Sequence, residues 1–153
     1  MAELERIAYE SAVRALDKQE KVVEELRART GILLAASSLA ASLLGTSALD
    51  DGHPFGLILL ALAAFVVSLA CSLFVLLPRE GFVFAVNGPE VYERLFAFRE
   101  DPDELHRRLA YDLQRFWDGN EGRLHGVRQA FTFAAYALGV EVLALALAVS
   151  GTV

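Results

Sequence analysis

A lone cysteine, Cys71, leaves nothing for a disulfide to pair with in a chain of 153 residues, so a stapled extracellular scaffold is excluded. Charge is also scarce. Asp, Glu, Lys and Arg make up 22% of the sequence and sum to a net charge of −6. That is the wrong sign for neutralising phosphates and argues against nucleic acid as a partner. Only three histidines occur; His53, His106 and His125 lack the paired spacing of a metal site. No Ser-His-Asp set and no glycine-rich phosphate loop can be found. The sequence therefore predicts neither an enzyme nor a cofactor. Internal repeats and low-complexity tracts are lacking too.

What the chain has in excess is apolar surface. Hydrophobic residues reach 55%, against about 45–50% in soluble domains, which excludes a disordered chain. The excess lies in three runs: 30–49 and 54–78, both without charge, and 129–153, interrupted only by Glu141. A bilayer core of ~30 Å needs about 20 helical residues, so each run is long enough to span it. Lipid-exposed open strands would leave backbone groups unpaired. The expected fold is all-α and integral to the membrane: a single membrane domain over 1–153 with three transmembrane helices and long cytoplasmic helical extensions of the first and last spans.

Orientation follows from the basic residues. Arg6, Arg14, Lys18, Lys21, Arg27 and Arg29 precede the first span, and the other eight Lys and Arg lie in 79–128. None occurs in the Asp50–His53 turn or beyond the third span. Basic flanks stay cytoplasmic, so the N-terminus and 79–128 are expected inside, and the turn and the C-terminus outside. The leader 1–29 mixes seven acids with its six bases and reads as part of a retained anchor rather than a secretion signal.

Residues 1–29 contain no Gly or Pro, and Leu4, Ala8, Ala12, Ala15, Val22, Val23 and Leu26 fall along one face of a helix entering the first span. After the second span, Gly81–Val86 reads as a short buried or interfacial extended segment. Asn87-Gly88-Pro89 is a turn, and Glu90–Arg99 a short amphipathic helix. Asp101-Pro102-Asp103-Glu104 is a helix start. From it, Leu105, Leu109, Leu113, Phe116, Asn120, Leu124, Val127 and Phe131 recur at three- and four-residue steps into the third span. Gly119, Gly122 and Gly126 weaken that helix and predict a kink.

Glu141 is the leading candidate site. It lies twelve residues past Gln129, about 18 Å along a helix, near mid-bilayer. A carboxylate there costs upwards of ~2.5 kcal/mol, so it should face protein or water. Two readings stand: an ion or proton site in a pore, lined also by Ser38, Ser42, Ser68 and Ser72; or helix glue, with Glu141 bonded to Ser68 or Ser72 of the second span or to Ser37, Ser38 or Ser42 of the first. In the first span Gly31, Ala35, Ser38, Ser42 and Gly45 repeat at 4-3-4-3 spacing. Such a small-residue face fits contact with another span of the same chain or with a second subunit.

The segments Leu16-Asp-Lys-Gln-Glu20, Leu26–Ala36, Ser72–Arg79 and Leu109–Gln114 with Asn120 resemble Pycsar transmembrane effectors and the related SLATT-type effectors of bacterial antiphage systems. That resemblance implies a non-catalytic inner-membrane effector. Such a protein assembles into a homo-oligomer and impairs the bilayer, by a pore or otherwise, when a nucleotide signal or a cytoplasmic partner protein triggers it. The alternative is a membrane scaffold or adaptor that docks a cytoplasmic partner through its helical extensions.

Overall fold

The structure, a computed structural model, describes residues 2–48, 55–78, 82–84, 89, 93 and 101–150. Three long helices account for nearly all of them: α1 (Ala2–Ala48), α2 (Phe55–Leu76) and α3 (Pro102–Ser150). Among the described residues there is no strand. All three helices are long and apolar enough to cross a membrane, the architecture of a multi-pass helical membrane protein. The Asp50–His53 turn, Asn87-Gly88 and most of the short helix expected over Glu90–Arg99 lie outside the described residues.

The helices begin and end where local chemistry dictates. In α1, good helix formers are tied along the outer face by ion pairs one turn apart, with Arg6 and Arg14 on either side of Glu10 and Arg29 on Glu25 at 2.5 Å. α2 closes with the Leu77 amide on the Leu73 carbonyl at 2.9 Å and stops at Pro78, which has no N–H to continue the ladder. α3 opens with Pro102 at its first position, and the Leu105 amide donates to the Asp101 carbonyl at 3.0 Å. Its helix is unbroken through Gly119, Gly122 and Gly126.

The chain divides into two compact units: Met1–Glu24 with Arg79–His125, and Glu25–Pro78 with Gly126–Val153. The divisions fall close to where the sequence turns from charged to apolar, so one apolar unit and one polar unit share the two long helices.

In the polar unit, Leu16 and Val23 of α1 and Leu105, Leu109, Leu113 and Leu124 of α3 are buried. The buried line of α1 thus runs through Leu16, Gln19 and Val23. The expected stripe began at Leu4 and Ala8, which are exposed. Two buried amides join the pieces of this unit. Gln19 donates to the Trp117 carbonyl and to Glu121, both at 3.2 Å. Asn120, 1% exposed, receives the Val83 amide at 3.2 Å and donates to the Val83 carbonyl at 2.9 Å. Of the segment expected to be extended, Phe82–Phe84 fall among the described residues and are non-helical, with the Phe82 and Phe84 rings stacked at 5.5 Å; Gly81, Ala85 and Val86 lie outside them.

In the apolar unit, Ala61, Ala64, Ser68, Ser72 and Val75 form the buried face of α2. Ala130, Ala134, Glu141, Ala144, Leu145 and Ala148 are buried on α3. Small side chains on both helices let their backbones approach closely, the usual way helices pair where lipid removes any hydrophobic drive between them. Outward, Ile32, Leu43, Phe55, Leu59, Phe133 and Leu143 are exposed, an apolar rim suited to acyl chains.

Candidate functional site

The candidate site lies in the apolar unit. Glu141 is 1% exposed. Its Oε2 accepts the Ser37 hydroxyl at 2.5 Å, and its Oε1 is buried without a hydrogen-bond partner. Ser37 reaches it because α1 carries its buried residues seven apart, at Leu16, Val23, Thr30 and Ser37, all 4% exposed or less. A heptad interval keeps one narrow line of a helix facing its neighbour. Gly31, Ser38 and Gly45 are also seven apart, so the interval alone does not select Ser37; burial does.

Of the serines expected beside Glu141, the structure separates two pairs. Ser68 and Ser72 are fully buried on α2. Ser68 donates to the Ala134 carbonyl at 3.3 Å, whereas the Ser72 hydroxyl has no partner. Ser38 and Ser42 are exposed on α1, and Ser38 donates back to the Leu34 carbonyl of its own helix at 2.9 Å. A single lining made of Glu141 and all four serines is therefore not formed within one chain. The buried set and the exposed set occupy different faces.

The small-residue face of α1 is likewise turned outward. Gly31, Ala35, Ser38 and Ser42 are exposed and Gly45 is partly so; a Cβ built at Gly31 or Gly45 would meet nothing within 4 Å. Gly31, Ala35, Ser38 and Ser42 are thus outside the buried packing of the chain, while Gly45 borders a cleft shared with α2 and α3. The reason is that α2 and α3 supply small residues to one another, which leaves α1 to contribute a different line, through Thr30 and Ser37.

Helix glue accounts for only half of the Glu141 carboxyl; an interhelical hydrogen bond in lipid is worth about 0.6 kcal/mol, at most ~1.7. Ser37 provides one such bond and the second oxygen has none.

That oxygen belongs to a side chain lining a cleft of about 280 Å3 among all three helices. Ala41 and Gly45 of α1, Ile58, Ala61, Leu62 and Phe65 of α2, and Leu145 of α3 form the rest of its wall. Leu62, 57% exposed, puts the rim at the outer surface of the unit. The polar unit has a separate groove of about 540 Å3, lined by Leu4, Ala8, Ala12 and Tyr111 together with Glu5 and Arg107. No cluster of three or more His, Cys, Asp or Glu able to hold a metal occurs among the described residues.

Fold and site together define a multi-pass helical membrane protein with one buried carboxyl among its apolar helices. Compared with known families, characterised proteins and solved structures, the chain matches none.

Proposed function

We propose that this chain is a non-catalytic protein of the inner membrane, with its N-terminus in the cytoplasm and its C-terminus outside, that acts as a homo-oligomer to impair the bilayer. The role as an antiphage effector released by a nucleotide signal or a partner protein rests on the family resemblance. The observation that carries the oligomer is the open small-residue face of α1. In lipid, such faces are where helix backbones of separate chains approach closely. Three spans do not enclose a channel, so any pore is built between copies, with Ser38 and Ser42 on the face available to line or seal it. Glu141 then stays inside its own chain.

The test is the mass of the protein in mild detergent, with detergent subtracted, beside dye release from vesicles. The expected result is an assembly of four or more copies that releases dye. Gly31→Leu with Ser38→Leu should break the assembly and abolish release. A wild-type monomer or dimer would end this reading. It would favour a second one supported by the groove of the polar unit: an adaptor that docks a cytoplasmic partner along Leu4, Ala8, Ala12 and Tyr111.

A further inference from the structure

We infer that the cleft beneath Glu141 is a binding site for a small lipophilic organic cation, an amine or quaternary ammonium with a compact apolar body. The inference concerns the interior of one chain and is independent of oligomeric state.

The wall chooses the body of the ligand. Ile58, Leu62, Phe65 and Leu145, with Ala41 and Ala61, offer hydrocarbon to anything inside, and a site of about 280 Å3 sits just below the ~300–1,000 Å3 range of small-molecule pockets. The single ionisable group chooses the charge. Among the described residues, Glu141 is the sole acid lining the cleft, and no Lys, Arg or His joins it. An anion would therefore meet an acid with nothing to offset it. A metal ion needs about six oxygen ligands, and this wall offers the carboxyl of one residue, half of it already engaged by Ser37. An acyl chain would fill the volume and leave Oε1 as it is, buried and unpaired. An organic cation satisfies both demands, placing its charge by the carboxyl and its body on the aliphatic wall. Phe65 adds an aromatic surface of the kind that attracts ammonium groups. The exposed rim at Leu62 gives such a molecule a way in from the outer surface of the unit.

The test uses the full chain in detergent and benzyltrimethylammonium as probe, with neopentylbenzene, its neutral isostere, as control; binding is measured by equilibrium dialysis. The expected result is saturable binding of one benzyltrimethylammonium per chain. Glu141→Gln should weaken it at least tenfold while helicity and melting temperature are kept. Ala41→Leu should weaken it as well by filling the cleft while leaving the acid in place. Neopentylbenzene should show no saturable binding. Equal binding to wild type and Glu141→Gln would overturn the inference, as would equal binding of the neutral isostere or no saturable binding to the wild type.

Discussion

Asn120 does for a stretch of non-helical backbone what a neighbouring strand would otherwise do. Its amide gives and receives one hydrogen bond with Val83, so the backbone N–H and C=O of a part-buried segment are both paired by one side chain. Replacing it with Leu keeps the number and branching of the side-chain heavy atoms and removes both partners. An unsatisfied buried group costs ~1–3 kcal/mol; Val83 is partly open to water, so Asn120→Leu should lower the unfolding free energy by about 1 kcal/mol, toward the low end of that range, read from denaturant titration. A loss below ~0.5 kcal/mol would count against the clamp. At this scale the sequence shows which residues are out of place but not what they touch. Asn120 is visible as the polar member of an apolar series, and Glu141 as the lone charge in a span. Their partners, Val83 and Ser37, lie 37 and 104 residues away, and no local rule reaches that far.

Helix starts and stops were legible because they depend on neighbours in sequence. Asp101 and Pro102 begin α3 and Pro78 follows the end of α2 as their backbone chemistry requires. Glu104 belongs to the first turn of α3, where a carboxylate also complements the helix dipole. Desolvation is the largest single influence and pushes its carboxyl up, but hydrogen bonds and charge from Arg108 and Arg107 together outweigh it and hold the group below its usual value of 4.5. Arg107 lies at 2.7 Å from Glu104 and Arg108 at 3.1 Å. A carboxyl whose pKa is lowered in the folded chain adds stability that is fully present above its unfolded value and is lost as pH falls through the folded one. Amide protection over 105–108 should therefore fall as pH drops below about 4.5, and Glu104→Gln should remove that pH dependence. Identical pH profiles for the two proteins would refute the role of these pairs. The face each helix turns inward was less legible. Two small-residue faces, on α2 and α3, took the close contacts for which the α1 stripe was also suited.

For the molecule as a whole, the basic residues predict orientation. All fourteen Lys and Arg lie in 1–29 or 79–128, and basic flanks resist translocation. In a Cys71→Ser background, an impermeant thiol reagent added to intact spheroplasts should label Asp51→Cys and spare Ser11→Cys until the membrane is opened. The opposite pattern would invert the proposed topology. The sequence by itself determined that the chain is helical and has three segments fit to span a bilayer. Those properties follow from backbone satisfaction and from apolar length, which are local and additive along the chain. Only the tertiary structure decided that Glu141 pairs with Ser37 beside a cleft and that the small-residue face of α1 is left open. Those outcomes depend on which helices pack together: lipid gives apolar faces no preference among partners, so close packing and the few polar side chains choose.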